Sequence, residues 1–275
     1  MAATLTPKQF KDIADVARAR WGLNLTEGKA VLVQNRLSKH VLRSNFESVD
    51  AYLKHLKNDA SEEDMLVFFD LLSTNTTSFF REMNHFHHLE KVVYPRLIRT
   101  RPEKKLRIWS AACSSGAEPY TIAMHLHECF PDIGSWDVRI LATDLSQSSI
   151  DLARAGVYPS KMIDDQPKDI VRKYFEQSGT GESATYRVRP EIRSMVSVQQ
   201  LNLMDRWPMK GPFDIIFLRN VMIYFDLDIR TRLVSRMREM MTDDGTLFIG
   251  SAETLSGMDV GLKTEIPSVY VKGNA

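Results

Sequence analysis

The stretch that most constrains the fold is LRIWSAACSSGAEPYTIAMHL, residues 106–126. An apolar run leads through small residues into an apolar helical pattern, which is how a nucleotide-binding βα turn is built. Only one glycine, Gly116, stands in this turn, whereas a pyrophosphate needs glycines that let it approach backbone N–H groups. Glu118 would repel a phosphate, and Pro119 removes a backbone donor. The turn therefore predicts a nucleoside ligand without phosphates, and it suits a positively charged one.

The pattern of predicted elements divides the chain. Residues 1–90 show almost entirely helical periodicity, which predicts an N-terminal all-helical domain. Residues 91–275 alternate strands and helices, which predicts an α/β fold with a doubly wound, mostly parallel sheet. A Gly-rich turn beside TYRVR predicts a small antiparallel β-subdomain, inserted at residues 157–195.

The helical region carries local signals of where its helices begin and end. The first helix is expected to start with a Thr6 cap and Pro7 and to end at Gly22. The second helix is expected to bury one apolar face, which consists of Val31, Val33, Leu37, Val41 and Leu42. After a polar break at residues 75–77, another helix is expected to start at Phe79.

Polar side chains stand where the predicted strands end. They are Glu118, Asp144, Asn202, Arg219 and Asn220. Because the carboxyl ends of parallel strands meet at one edge of a sheet, these side chains are expected to face one crevice. A carboxylate after the second strand, here Asp144, suits the two hydroxyls of a ribose. S-adenosylmethionine fits this crevice, since it is a phosphate-free nucleoside with a sulfonium and an ammonium group. Packing and helix capping alone would use the same residue types, and the sequence leaves that alternative open.

A second motif, LLSTNTTSFFREMNHF, lies at the junction of the two predicted domains, at residues 71–86. A run of Asn and Thr between helices is usually a cap and turn, which would account for Asn75 and Thr77. It does not account for Arg81, directly after two phenylalanines. An arginine beside aromatic surface can bind a carboxylate through two hydrogen bonds, and domain junctions commonly hold ligands. We therefore expect Arg81 to lie in a ligand site.

Taken in order, NTTSFFRE, AACSSGAEPYTIA, ATDLS, LNL and FLRNVMIYFD resemble the chemotaxis receptor methyltransferases of the CheR type. The resemblance extends over nearly the whole chain. It implies a class I S-adenosylmethionine-dependent methyltransferase-like fold, following a helical domain and carrying a small antiparallel β-subdomain. The implied reaction methylates glutamate side chains of methyl-accepting chemotaxis receptors and tunes adaptation in chemotaxis. Its products would be glutamyl methyl esters and S-adenosylhomocysteine.

The resemblance also implies which residues contact the cofactor. They are Asn75, Thr77, Arg81, Glu118, Asp144, Asn202, Leu203, Arg219 and Asn220. Asn202 and the backbone of Leu203 suit the adenine. Glu118 and Asn220 suit the polar ends of the cofactor.

Two residues are expected to act on the substrate. Tyr224 lies just past a strand end and suits a hydrogen bond to the incoming carboxylate, and Arg81 suits the carboxylate of either the cofactor or the substrate. A glutamate is already ionised at neutral pH, since its reference pKa is about 4.3. No general base is therefore expected, and the site has to align the reacting atoms and exclude water.

The resemblance implies a partner, the cytoplasmic helical domain of a chemoreceptor with its acidic methylation sites. Residues 8–43 contain eight basic and three acidic side chains, so this segment suits an acidic helix. A solvated helix face shows the same pattern. In some members of the family the β-subdomain also binds a C-terminal receptor peptide by strand addition, and the sequence leaves open whether this chain does. Nothing in the sequence requires more than a monomer.

Composition narrows the class of protein. The net charge of +1 gives no reason to expect nucleic acid as a partner. The two cysteines, Cys113 and Cys129, give no disulfide framework and suit a reducing compartment. The N-terminus is polar, and no apolar run reaches the roughly 18–20 residues that span a bilayer. We therefore expect a cytoplasmic protein without membrane insertion.

Other functions remain to be weighed. A catalytically silent scaffold or sensor would bind S-adenosylmethionine without transferring the methyl group. A hydrolase would use Cys113 or Ser114, although AACSSG has alanine where the nucleophile elbow begins with glycine. The histidines do not predict a metal site, because adjacent His87 and His88 point to different helix faces. Helix-surface or packing roles are expected for His125 and His127.

Overall fold

The computed structural model describes residues 5–272, so the outer limits 1 and 275 of the expected domains lie outside the described residues. The stretch SVYVKG, residues 268–273, predicts a last strand, and its final residue, Gly273, also lies outside them. Its N-terminal part contains the helices α1 (Pro7–Trp21), α2 (Ala30–Arg43), α3 (Val49–Asn58) and α4 (Glu62–Leu72). α1 begins and ends as the sequence predicts: Thr6 and Gln9 cap each other's backbone groups, and Gly22 adopts a left-handed conformation at φ 71°.

The apolar face of α2 is narrower than predicted. Val33, Leu37 and Val41 are buried, but Val31 and Leu42 are 69% and 81% exposed. The buried residues recur every four positions and form one stripe. Val31 precedes this stripe by two residues and Leu42 follows it by one, so they lie about 200° and about 100° away around the helix. The prediction was therefore wrong for these two residues.

The helix after the polar break begins at Met83, so the predicted start at Phe79 was wrong. Phe80 and Glu82 have φ values of 52° and 60°, and a helix requires φ near −60°. The backbone therefore stays irregular until the helix α5 (Met83–His88), which continues through a π-helical turn (Leu89–Val93) into α6 (Tyr94–Thr100).

The remaining chain alternates strands and helices. Its elements are β1 (Lys105–Ala111), α7 (Ala117–Cys129), β2 (Asp137–Asp144), α8 (Gln147–Ala155), β3 (Val157–Pro159), α9 (Lys168–Tyr174), β4 (Phe175–Ser178), β5 (Thr185–Val188), α10 (Pro190–Arg193), β6 (Val196–Gln200), β7 (Phe213–Leu218), α11 (Leu227–Glu239), β8 (Met241–Ile249), β9 (Leu262–Ile266) and β10 (Val269–Lys272).

The main sheet has the strand order β6-β2-β1-β7-β8-β10-β9. The first five strands in this order run parallel, and β10 and β9 are antiparallel additions at the edge. β1 lies between β2 and β7, so the strand order reverses there, where ligands bind in doubly wound sheets. A separate antiparallel sheet, β3-β5-β4, forms within the expected insertion. The expected fold class is confirmed.

Two boundaries near the C-terminus differ from the prediction. The stretch DLDIRTRLVSRMREMMT, residues 226–242, predicts one helix, but α11 ends at Glu239 and β8 starts at Met241. The reason is pairing with the parallel neighbour, since Met241 is in register with Phe213 of β7. β9 was not predicted. Its exposed and half-buried residues lack an apolar pattern, and pairing with β10 defines it.

One apolar core joins the helical region to a face of the main sheet. Trp21 and Leu23 at the end of α1 belong to the same buried cluster as Trp109 of β1 and Ile216 of β7. A methyl group added at Gly22 would lie 2.9 Å from the sulfur of Met204, so the two parts pack closely. Within residues 5–272, no helix combines the length and apolar character needed to cross a bilayer.

Candidate functional site

A cleft lies between the helical region and the carboxyl ends of β1, β2, β6 and β7. All ten site residues predicted from the sequence line it: Asn75, Thr77, Arg81, Glu118, Asp144, Asn202, Leu203, Arg219, Asn220 and Tyr224. The sheet brings the strand-end residues together because the strands are parallel, and the α4–α5 segment closes the cleft from the other side. Which of these residues contact a cofactor stays a prediction.

The turn between β1 and α7 has a strained backbone and is held from two sides. Ala112, Ser114 and Gly116 have φ values of 61°, 50° and 91°. A methyl group at Gly116 would lie 2.9 Å from the Cβ of Ala153 and 3.0 Å from the hydroxyl of Tyr158. This glycine therefore permits a left-handed backbone and close packing against α8. It does not open a path for a phosphate, in agreement with the sequence argument.

Asp144, at the end of β2, ties this turn to the start of α8. Its Oδ2 accepts the N–H of Ser114 at 2.7 Å, and its Oδ1 accepts the N–H of Ser146 at 2.9 Å. Burial raises the pKa of Asp144, and backbone hydrogen bonds from Ser146, Ser114 and Leu145 oppose that rise. A carboxylate offers about four lone-pair sites. The side chain therefore keeps acceptor capacity while it holds both turns.

Arg219, after β7, is buried between two acidic side chains. Its Nη1 lies 3.3 Å from Oε2 of Glu118, and its Nη2 lies 3.1 Å from Oε2 of Glu82. Nη2 also donates to the backbone carbonyl of Arg81 at 2.6 Å. Burial raises the pKa of Glu118, although Arg219 and the Ser110 hydroxyl oppose the rise. Arg219 therefore neutralises the floor of the cleft and fixes the α4–α5 segment to the sheet.

Asn220 depends on a carboxylate that sequence reasoning missed. Its φ is 58°, and its N–H donates to Oε2 of Glu253 at 2.9 Å. Glu253 also accepts the N–H groups of Gly250 at 2.6 Å and Ile223 at 3.2 Å. A methyl group at Gly250 would lie 2.5 Å from Nδ2 of Asn220. The motif GSAE, residues 250–253, is the signal that could have identified Glu253: a small-residue turn and an acid directly after β8.

The α4–α5 segment is held by hydrogen bonds along its length. Arg36 of α2 donates to the carbonyls of Leu71 and Ser73. Nδ2 of Asn75 donates to the hydroxyl of Ser149 at 3.2 Å, and the N–H of Phe80 donates to the hydroxyl of Thr121 at 3.1 Å. This irregular segment therefore has a defined path between the helical region and the sheet. Arg36 could not be recognised from sequence, because its acceptors are backbone carbonyls.

Three side chains at the cleft carry groups that suit a carboxylate or another anion, namely those of Tyr224, Lys29 and Arg81. The hydroxyl of Tyr224 donates to the carbonyl of Thr74 at 3.0 Å. Nζ of Lys29 lies 4.6 Å from the centre of the Tyr224 ring, and burial lowers the pKa of this lysine. Among the described residues the side chain of Arg81 makes only long contacts: Nη1 lies 3.4 Å from the carbonyl of Thr76, and Nε lies 3.9 Å from Oε1 of Glu82. Lys29 was not predicted.

Asn202 and Leu203 already use some of their polar groups in hydrogen bonds within the protein. Nδ2 of Asn202 donates to the carbonyl of Arg20 at 3.2 Å, and its Oδ1 accepts the N–H of Met204 at 3.0 Å. The carbonyl of Leu203 accepts from Trp207 at 3.2 Å and Arg236 at 2.8 Å. The part of Leu203 left for an adenine edge is therefore its N–H group.

A nucleophile role for Cys113 or Ser114 has no support in the geometry. The hydroxyl of Ser114 donates to the carbonyl of Asn75 at 2.8 Å. Cys113 is 1% exposed, and burial raises the pKa of its thiol well above the ordinary value. Among the described residues lining the cleft there is no histidine that could act as the base.

The histidines of NHFHHLEK diverge as the sequence predicts. His85 is hydrogen-bonded to the hydroxyl of Ser268 at 2.7 Å, and His88 is hydrogen-bonded to Oε2 of Glu265 at 2.8 Å. Both partners belong to the β9–β10 hairpin. His87 is exposed. His125 is a buried packing residue, bonded through Nδ1 to the hydroxyl of Tyr94 at 3.0 Å.

Comparison with known proteins gives a consistent result. Residues 8–73 match the profile described as CheR methyltransferase, all-alpha domain, and residues 75–269 match that described as CheR methyltransferase, SAM binding domain. A chemotaxis protein methyltransferase of Borreliella burgdorferi is 36% identical, with 98% of this chain and 95% of that protein covered. Chemotaxis protein methyltransferase 2 of Pseudomonas aeruginosa is 39% identical, with 90% of this chain and 87% of that protein covered.

Proposed function

The chain belongs to the CheR methyltransferase family, and from this premise we propose that it transfers the methyl group of S-adenosylmethionine to glutamate side chains of chemotaxis receptors. Its cofactor is S-adenosylmethionine, because most of the chain matches the family's SAM binding domain. The glutamate substrate and the receptor partner are the finer parts of the proposal. They follow from the family and from the chemistry of the cleft.

The observation that carries the proposal is the distribution of charge in the cleft. Two carboxylates line it, Glu118 in the first turn of α7 and Asp144 at the end of β2, where a phosphorylated coenzyme would require backbone donors. Asp144 keeps acceptor capacity for the ribose hydroxyls, and Glu118 suits the ammonium group. Nε of Arg219 is buried and has no hydrogen-bond acceptor among the described residues, so it suits a polar group of the ligand. These residues therefore fit S-adenosylmethionine.

In this reaction the protein has to align the reacting atoms, and no proton transfer is needed. S-adenosylmethionine supplies a methyl group bonded to a positively charged sulfur. A substrate glutamate is ionised at neutral pH. We assign Arg81 and Tyr224, which line the cleft, to hold its carboxylate. Tyr224 would do so by turning its hydroxyl away from the carbonyl of Thr74. The site fixes the attacking oxygen in line with the methyl carbon and the sulfur. In favourable cases such positioning lowers the activation free energy by up to about 7–11 kcal/mol. No side chain is assigned as a general base.

The proposed partner is the helical cytoplasmic domain of a chemoreceptor, bound by the helical region. The exposed side of α2 presents apolar Val31 and Leu42 beside basic Lys39 and Arg43. Such a mixed surface suits an acidic helix, because the opposite charges speed the encounter and the apolar groups are buried on binding.

The domain limits are also part of the proposal. They are a helical domain at residues 1–90, a methyltransferase domain at 91–275 and an insertion at 157–195.

A receptor peptide would add to an edge strand of the small sheet, which is β4 or β3. The segment SGTGESATYRVR contains β5, which is the central strand of the small sheet and has both neighbours in place. β4 has one neighbour, so the outer backbone groups of its residues 175–178 are free for strand addition within the described sheet. We propose β4 as the docking edge because it is the longer of the two edge strands.

The test of the function uses labelled S-adenosylmethionine and membranes that contain chemoreceptors. We expect label in the receptors that is released as methanol by mild base, because carboxyl methyl esters hydrolyse readily. Receptors whose methylation-site glutamates are replaced by alanine serve as the control and should remain unlabelled. Tight binding of S-adenosylhomocysteine without any base-labile label would instead identify a catalytically silent scaffold.

A substitution at Asp144 tests the ribose assignment. Asp144→Ala removes an ionised acceptor, whose hydrogen bonds are each worth roughly 1.5–3 kcal/mol. We therefore expect S-adenosylhomocysteine to bind at least about tenfold more weakly, as measured by titration calorimetry. Asp151→Ala, an exposed acid on α8, is the matched control and should bind normally. An unchanged dissociation constant in Asp144→Ala would refute the ribose assignment.

A further inference from the structure

Three side chains with different metal-binding groups meet on the outer side of the protein, away from the cleft lining. A carboxylate oxygen of Glu90, an imidazole nitrogen of His125 and the sulfur of Cys129 lie within 4.8 Å of one another. Glu90 is exposed, Cys129 is half-buried and His125 is buried. None of the three lines the cleft, and the proposed methyl transfer uses none of them.

The local structure explains why these groups converge. His125 and Cys129 are four residues apart near the end of α7, so they stand on one face of that helix. Glu90 lies in the π-helical turn that joins α5 to α6. Such turns widen a helix by one residue and are frequent at functional sites. The turn brings a carboxylate from one helix to the His–Cys pair of another.

We propose that Glu90, His125 and Cys129 form a binding site for a thiophilic divalent cation of the zinc class, with water as the fourth ligand. Zinc is bound by this set of donors, and three protein ligands with one open position is a recognised arrangement. In a tetrahedral site neighbouring ligand atoms are roughly 3.3–3.8 Å apart. The ligand atoms of the three side chains lie within 4.8 Å of one another, and the exposed side chain of Glu90 can rotate to close the remaining distance.

The surroundings of His125 favour the cation. Nδ1 of His125 is bonded to the hydroxyl of Tyr94 at 3.0 Å, and a hydroxyl can accept a proton as well as donate one. The Tyr94 hydrogen bond leaves Nε2 as the ring nitrogen that the proposal requires as the metal ligand, and Tyr94 would fix the ring as outer-shell partners do.

Binding at Cys129 has a simple proton balance. Cys129 is a free thiol, and a cysteine thiol carries its proton near neutral pH because its reference pKa is about 8.5. On binding, the S–H bond gives way to a metal–sulfur bond and one proton passes to solvent. Nothing is oxidised or reduced.

The experiment titrates the full chain, without an affinity tag, with cobalt(II) as a spectroscopic substitute for zinc. We expect the absorption bands of tetrahedral cobalt together with a thiolate-to-cobalt charge-transfer band. Excess zinc should remove both bands, because zinc favours tetrahedral sites with nitrogen and sulfur ligands and its filled d shell gives no such absorption. Zinc should also raise the unfolding temperature, since it binds the folded state.

Variants show which residues hold the metal. Cys129→Ser should abolish the charge-transfer band, and Glu90→Gln should weaken cobalt binding at least about tenfold. Glu90 is exposed, so its replacement leaves folding intact and the test does not depend on Cys129 alone. His127→Gln, on the same helix, is the matched control and should keep the full spectrum. Absence of the charge-transfer band in the wild type, its persistence in Cys129→Ser, or unaltered binding by Glu90→Gln would each overturn the proposal.

Discussion

Replacing Arg219 by methionine is expected to lower the free energy of unfolding by about 3–5 kcal/mol at neutral pH, the cost of breaking a buried ion pair by removing one partner. The side chain of Arg219 is 2% exposed, and it lies within 3.3 Å of Glu118 and 3.1 Å of Glu82. Methionine fills much of the same volume, so the lost free energy of unfolding comes mainly from leaving the carboxylates of Glu118 and Glu82 buried without a cation. Urea unfolding measures it.

A surface arginine provides the control for this experiment. The side chain of Arg18 is 64% exposed and pairs with Asp226 at 2.5 Å. Exposed ion pairs contribute about 1 kcal/mol or less, so Arg18→Met should change stability little. Equal losses in the two variants would show that the buried network does not stabilise the fold.

The effect of Arg219→Met should depend on pH in a defined direction. Burial already raises the pKa of Glu118 above 4.5, and Arg219 opposes that rise. Without Arg219, the folded state holds the proton of Glu118 more strongly, whereas the unfolded state does not. The variant therefore gains stability relative to wild type as the pH falls from neutral to about 5. A deficit that stays constant over this range would contradict the assignment of Glu118 as the uncompensated charge.

The positions of the site residues were predictable because the sheet is parallel. Each strand of such a sheet reads as an apolar run that ends abruptly in polar residues. Asp144 and Asn220 can be recognised in this way from the sequence alone. Parallel pairing then brings their strand ends to one edge, and β1 between β2 and β7 fixes which strands are neighbours. The fold class and the lining of the cleft follow from this single topological fact.

The network that holds these residues was not predictable, because its contacts are distant in sequence and leave no periodic pattern. Glu82 reaches Asn220 and Arg219 across 138 and 137 positions of the chain, and Glu253 reaches Asn220 across 33. The left-handed backbone at Phe80 and Glu82 also has no local signal, since neither residue favours it. Tertiary contacts impose it, and this is why the predicted start of α5 was wrong.

The helix start matters for function, since Arg81 lies between these two left-handed residues. In a regular helix its backbone carbonyl would accept a hydrogen bond from a later turn. Here the carbonyl accepts from Nη2 of Arg219 at 2.6 Å, and the side chain lines the cleft. The irregular backbone therefore connects the buried cation of Arg219 to the more exposed cation of Arg81.

Replacing Arg81 by alanine is expected to leave the fold intact and to reduce receptor methylation by about 100-fold or more. The side chain of Arg81 is 41% exposed and makes only the two long contacts described above, so its loss costs little stability. A bidentate hydrogen bond between a guanidinium and a carboxylate is stronger than a single charged hydrogen bond, which is worth roughly 1.5–3 kcal/mol. The methyl-transfer assay with labelled cofactor measures the change in kcat/KM.

The kinetic constants of the same variant show which carboxylate Arg81 binds. If it holds the cofactor, Arg81→Ala weakens S-adenosylhomocysteine binding as strongly as it lowers kcat/KM for S-adenosylmethionine. If it holds the substrate glutamate, cofactor affinity stays normal and the rate falls with receptor in excess. Arg139→Ala, with a 76% exposed side chain outside the cleft lining, is the control and should be fully active. Near-normal methylation by Arg81→Ala would remove this residue from the site.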